Sequence, residues 1–169
     1  MRALVIGRFQ PLHIGHVKMI EYAASKAQYL IIGLGSCNKS GEAENPFTAE
    51  ERETMLKESL NIETPFEIKR IPDFEDNQKW MDWIRENINF DVLMTNSESE
   101  TIIFQKAGYE VKTLPYYDRY LYSSTEVRKR ILEDTDWNTL LPLGTIQTLE
   151  KTNGRHRIKT LNKSELADD

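Results

Sequence analysis

Residues 3–6 read Ala3-Leu4-Val5-Ile6, apolar at every position and followed at once by Gly7. Four residues are too few for a buried helix, and two of them are β-branched. A strand with no polar face has to be covered on both sides. That requirement constrains the fold more than any other feature of the chain. It calls for a sheet held between two layers of other structure, the arrangement that parallel sheets adopt.

The rest of the sequence keeps to this plan. Further strand-like runs occur at residues 29–36, 66–71, 91–96 and 109–114. Helical spacing falls between them. Val17, Ile20, Ala23, Ala24 and Ala27 mark one helix, Met55, Leu56 and Leu60 a second, and Trp80, Met81, Trp83, Ile84 and Ile88 a third. Thr48 followed by Glu51 has the pattern of a capping box, and Ser97 or Ser99 is placed to cap the helix through Ile102–Phe104. Ser123-Ser124-Thr125 opens a helix with Val127, Ile131 and Leu132, and a last helix is expected around residues 140–149. Alternating strands and helices imply βαβ units. Right-handed crossovers then predict an α/β, doubly wound parallel sheet of about five strands with helices on both faces, a Rossmann-like layer structure. One domain is expected over residues 1–152, with a polar tail at 153–169 expected to fray.

Composition narrows the function classes. The chain has 169 residues and a net charge of −5, with a pI near 5.3. This balance argues against binding a nucleic-acid polymer or an anionic membrane, and leaves room for a local cationic site. Cys37 is the one cysteine, so no intrachain disulfide forms and a reducing, cytoplasmic setting is expected. No stretch approaches the ~20 apolar residues of a membrane span.

The chemistry concentrates just after the first strand, in Gly7-Arg8-Phe9-Gln10-Pro11-Leu12-His13-Ile14-Gly15-His16. In open parallel sheets ligands bind at the carboxyl ends of the strands. Gly7 would let a ligand approach the main chain, and Pro11 fixes a turn. Gly15 and His16 would fall at a helix N-terminus, where free amides favour anions. His13 and His16, three apart, would converge on one side. Two histidines and one distant cysteine make a poor zinc set. Phosphate recognition by two imidazoles and an arginine is the stronger reading, with no metal site of the protein's own.

These residues resemble the HxGH signature of the nucleotidyltransferase superfamily, and Ser123-Ser124-Thr125-Glu126-Val127-Arg128 resembles its second signature, Ser-Thr-x-x-Arg. The Gly-Arg-Phe-Gln-Pro start, Asn45-Pro46-Phe47-Thr48-Ala49-Glu50-Glu51-Arg52 and Asn77-x-x-Trp80 are similar to the archaeal-type nicotinamide mononucleotide adenylyltransferases. Ser123-Ser124-Thr125 stands where that branch often has Ser-Gly-Thr.

The resemblance implies adenylyl transfer from ATP to nicotinamide mononucleotide, giving NAD⁺ and pyrophosphate, with Mg²⁺ arriving with ATP. It implies a homo-oligomer, a hexamer being the form expected. It implies that His13, His16, Arg8 and Arg128 carry the chemistry. Gly7, Phe9, Gly15, Ser36, Lys39, Ser123, Ser124 and Thr125 would contact the nucleotide. Arg52 would meet the mononucleotide phosphate or a neighbouring one, and Asn77 and Trp80 would choose the nicotinamide. Plainer roles stand beside these. Arg52 could be a solvated helix residue, Trp80 a core aromatic beside Trp83 and Ile84, and Lys39 a solvated loop residue. Rival functions are a transferase of the same fold with a phosphopantetheine, flavin mononucleotide or CTP-linked alcohol substrate, and a nucleotide sensor without turnover.

Overall fold

The computed structural model describes residues 1–167. Its elements are β1 (Arg2–Gly7), α1 (Ile14–Lys26), β2 (Tyr29–Leu34), α2 (Ala49–Ser59), β3 (Phe66–Arg70), α3 (Asn77–Asn87), β4 (Val92–Thr95), α4 (Glu98–Lys106), β5 (Glu110–Thr113), α5 (Ser124–Glu133), α6 (Leu143–Thr152) and α7 (Gly154–Ala167). The strands form one parallel sheet in the order β3-β2-β1-β4-β5. The chain winds outward from β1 to β3, then returns across the sheet to β4 and β5. The reversal falls between β1 and β4, so a crevice opens there at the carboxyl ends of the strands.

The apolar run at residues 3–6 behaves as its composition requires. Ala3 and Val5 face one core, with Ile20 and Ala23 of α1, Met55 and Leu56 of α2, Val127 of α5, Leu149 of α6 and Ile158 of α7. Leu4 faces the other, with Met81 and Ile84 of α3 and Phe104 of α4. β2 and β4 alternate likewise, Ile31 and Leu93 siding with Leu4. Each such side chain contributes about 1.5–3 kcal/mol relative to exposure, which explains why the central strands contain no polar face.

The helix starts follow the expected caps. The Thr48 hydroxyl accepts from the Glu51 amide, and the Glu51 carboxylate accepts from the Thr48 amide. Ser97 rather than Ser99 caps α4, and Ser123 caps α5. Among the described residues no helix is long and apolar enough to cross a membrane.

One expectation fails. Most of the segment expected to fray, residues 154–167, is the helix α7. Asn153 takes a left-handed conformation that ends α6. Gly154 then packs so closely that an added Cβ would lie 2.7 Å from Leu149 and 2.9 Å from the Phe47 ring. Ile158 is fully buried, and Arg157 forks onto both carboxylate oxygens of Glu51 at 2.6 and 3.0 Å. Few apolar residues and one glycine concealed a helix that docks through particular contacts. Residues 168–169 lie outside the described residues.

Candidate active site

A cleft of about 270 Å³ opens at the reversal point. Its floor comes from the segment after β1, its walls from the start of α1, the end of β4, the strap before α5 and the head of α5. Arg8, His13, His16, Ser123, Ser124, Thr125 and Arg128 all line it. The two signatures, more than a hundred residues apart, therefore meet in one site. Among the described residues no carboxylate lines the cleft, although the chain holds 27 acidic residues.

The two histidines begin α1 as a reciprocal cap. His13 Nδ1 accepts the His16 amide, and His16 Nδ1 accepts the His13 amide, each at 3.2 Å. The rings stack with centroids 3.6 Å apart. A nitrogen that accepts an N–H carries no proton, so the neutral rings hold theirs on Nε2. Burial pushes the His13 pKa down to about 3. Burial also holds His16 well below the ordinary value, and the charge of His13 adds to the effect. The pair is neutral near pH 7 and offers two Nε2–H donors.

The segment between β1 and α1 is fixed by side chains from far away. Arg52 Nη1 donates to Arg8 O at 2.9 Å, Arg128 Nη1 to Gln10 O at 2.8 Å, Ser124 Oγ to Pro11 O at 2.9 Å and Thr145 Oγ1 to Leu12 O at 2.9 Å. The Gln10 amide pairs with the main chain of Phe47, donating to its O at 3.0 Å and accepting from its N at 2.9 Å. A loop with no regular partner thus has its carbonyls satisfied one by one. Arg128 and Ser124 weld the two halves of the site together. The Ser124 hydroxyl proton is committed to Pro11, while Arg128 retains further N–H groups for a ligand. Burial and the nearby Arg8 cation lower the Arg128 pKa, a strain that an anion would relieve.

Several expected ligand contacts take other roles. Arg52 is fully buried. Its guanidinium spends all five N–H groups on main-chain oxygens of Thr48, Arg8, Gly35, Ser36 and Lys39. No donor remains for a phosphate, so Arg52 builds the site from beneath instead of touching the nucleotide. Burial lowers its pKa to about 10, which leaves it charged. The space beside Gly7 is filled by Phe9, whose ring would lie 2.7 Å from an added Cβ, so the glycine admits an aromatic rather than a ligand. Phe9 is almost wholly buried, with its edge in the cleft wall. Gly15 serves packing too, because a Cβ there would meet the Tyr122 Cβ at 2.7 Å.

Ser36 and Lys39 do not line the cleft. Ser36 Oγ donates to Asp73 at 2.9 Å and Lys39 pairs with Asp73 at 3.3 Å, which ties the loop after β2 to the loop after β3. Asn77 begins α3 and lines a separate groove with Met81, Arg85, Ile102 and Lys106. Trp80 is half-buried and meets Phe104 edge to face, centroids 5.7 Å apart. The structure does not bring Asn77 or Trp80 into the cleft that holds the histidines. Conversely, Met19, Asn96, Tyr117, Arg119 and Tyr122 line it without a sequence signal pointing to them. The aromatic run at residues 116–122 was the one available hint.

Among the described residues no three His, Cys, Asp or Glu side chains gather to hold a metal. The donor set of the cleft is cationic or neutral, which fits phosphate oxygens and does not fit a resident cation.

Comparison with known proteins agrees with this geometry. Residues 4–130 match the cytidylyltransferase-like family model. A nicotinamide-nucleotide adenylyltransferase of Methanococcus aeolicus is 40% identical over 96% of this chain and 95% of its own. That of Methanolobus tindarius is 39% identical over 97% and 96%. Among solved structures, a bifunctional NMN adenylyltransferase/ADP ribose pyrophosphatase from Francisella tularensis, complexed with AMP and a manganese ion, superposes with a TM-score of 0.80 at 21% identity. It covers 98% of this chain, which spans 54% of that longer protein, and shares its fold. The chain belongs to the cytidylyltransferase-like family and, within it, to the nicotinamide-nucleotide adenylyltransferases.

Proposed function

We propose that this chain transfers the adenylyl group of ATP to nicotinamide mononucleotide, forming NAD⁺ and releasing pyrophosphate. The observation that carries the reading is the cleft itself. Two neutral imidazoles with protons on Nε2, three guanidiniums and a helix N-terminus line it, with no carboxylate among the described residues there.

The chemistry suits that donor set. A 5′-phosphate oxygen of the mononucleotide forms a bond to the α-phosphorus of ATP, and the bond from that phosphorus to the α,β-bridging oxygen breaks. The electron pair leaves with pyrophosphate. The attacking phosphate is already ionised near pH 7, so no side chain has to remove a proton. The work left to the protein is alignment and stabilisation of charge that spreads over the phosphoryl oxygens. The Nε2–H groups of His13 and His16 donate to those oxygens. Such a fixed donor contributes about 10²–10³ in rate. Arg8 and the free N–H groups of Arg128 hold the polyphosphate, with Thr125 and the first amides of α5 at the helix start.

A divalent cation, Mg²⁺ in this reading, enters as the counter-ion of ATP and supplies charge neutralisation on phosphate oxygens. The acceptor's base is assigned to Asn77 and Trp80 by resemblance, and their position outside the cleft leaves that role to be tested directly.

Incubation of the protein with ATP, Mg²⁺ and nicotinamide mononucleotide, followed by pyrophosphate release and NAD⁺ formation, tests the function. Parallel arms with flavin mononucleotide and phosphopantetheine test the acceptor. Release with either of those, and none with nicotinamide mononucleotide, would replace this reading. Nucleotide binding with no release from any acceptor would favour a sensor.

A further inference from the structure

The strap between β5 and α5 closes one side of the cleft, and it is anchored at several points. The Tyr116 hydroxyl donates to Asn96 O at 3.0 Å, at the end of β4. Lys18 Nζ of α1 lies 5.8 and 5.4 Å from the ring centroids of Tyr117 and Tyr122. Tyr122 packs where only Gly15 leaves room. Asp118, in a left-handed conformation, accepts the Leu121 amide on its carboxylate and the Leu121 and Tyr122 amides on its carbonyl. The turn at 118–122 is therefore built, with Arg119 at its second position.

Arg119 lies in the cleft wall. Its Cζ sits 4.6 Å from the centroid of Tyr116, the residue tied to β4. Among the described residues no carboxylate pairs with Arg119, which meets the Tyr116 ring instead. Stacking on an aromatic face orients a guanidinium while leaving its N–H fork free. Arg8, Arg119 and Arg128 thus bring three cations to one cleft that no acidic side chain lines among the described residues. Such an arrangement is unfavourable until an anion of high charge enters.

We propose that Arg119 is a further catalytic residue, donating to the β- and γ-phosphates of the bound nucleoside triphosphate together with Arg8 and Arg128. This rests on the adenylyl-transfer reading. The polyphosphate is favoured over the acceptor phosphate because of where the strap goes. It hangs from β4 and runs four residues after Arg119 into Ser123, the cap of α5. In the displacement, charge accumulates on departing pyrophosphate, and a guanidinium placed there acts most strongly in the transition state.

The test compares Arg119→Ala and Arg119→Lys with the parent protein. Arg119 is exposed, so both variants are expected to keep the parent's melting temperature. Calorimetry with inorganic tripolyphosphate as the probe is expected to show at least about tenfold weaker binding for Arg119→Ala, with AMP binding unchanged. Turnover is expected to show kcat/KM for ATP lowered about 10–100-fold while KM for the mononucleotide stays within about twofold. The lysine variant is expected to recover part of the loss. Unchanged tripolyphosphate affinity, or a change confined to the mononucleotide KM, would overturn the proposal. A parent protein that binds tripolyphosphate yet turns over no acceptor would overturn the adenylyl-transfer reading alone, because the binding arm does not depend on turnover.

Discussion

His13 and His16 hold each other's main chain: each Nδ1 accepts the other's amide at 3.2 Å, with the rings 3.6 Å apart. One pair of side chains therefore caps α1 and presents two donors to the cleft. His16→Ala removes a donor and half of the cap. We expect kcat to fall by about 10² or more, with stability lower by about 1 kcal/mol. Pyrophosphate release and urea melts measure the two effects separately. Near-parental kcat would remove His16 from the chemistry.

The same pair predicts how stability depends on pH. A histidine whose folded pKa lies below its unfolded value binds its proton only after unfolding. The stability tied to its neutral form is present in full above 6.5 and drains as pH falls, for His13 down to about 3. The slope is about 1.4 kcal/mol per pH unit for each such group. Urea midpoints between pH 7 and pH 5 should fall accordingly, and His13→Asn, which keeps a capping oxygen, should flatten the slope. Identical slopes in parent and variant would mean that His13 titrates normally.

Arg52 lies where the chain around Arg8, Gly35 and Ser36, Lys39 and Thr48 converges. Its loss takes a donor from five carbonyl oxygens, of which Thr48 O and Ser36 O keep a main-chain amide. Arg52→Met should cost about 3 kcal/mol or more in urea unfolding. Arg52→Lys should recover only a minority of that, because an ammonium cannot serve acceptors fanned across a plane. A mild loss in Arg52→Met would show that water replaces the guanidinium.

Trp80 separates two accounts of acceptor choice. If it stacks on the nicotinamide, Trp80→Ala raises KM for the mononucleotide far more than for ATP, and that is the outcome we expect. Equal movement of the two KM values, with lowered stability, would make it a core residue held by Phe104.

The sheet could be read from the chain because its central strands have to be apolar on both faces, as Ala3–Ile6 is. Both phosphate signatures were readable because glycine, histidine and a capped helix start recur at short range. What escaped notice acts over long range. The acceptors of Arg52 are carbonyl groups, which no residue type announces, so an arginine in a motif suggested a phosphate. The Gln10 pairing with Phe47 is equally silent. α7 was missed because its docking rests on Ile158, Gly154 and one ion pair rather than on a repeated apolar face. The strap residues were missed because an aromatic loop says nothing of which wall it will form.

The carbonyls after β1 have a consequence for the order in which the molecule is completed. Residues 8–12 are made before the partners of their carbonyls, which sit at positions 52, 124, 128 and 145. Synthesis runs from the N-terminus, so the segment between β1 and α1 stays incompletely fastened until position 145 has been made. A chain interrupted before Thr145 would carry both signatures and still lack the hydroxyl that holds Leu12 O beside His13.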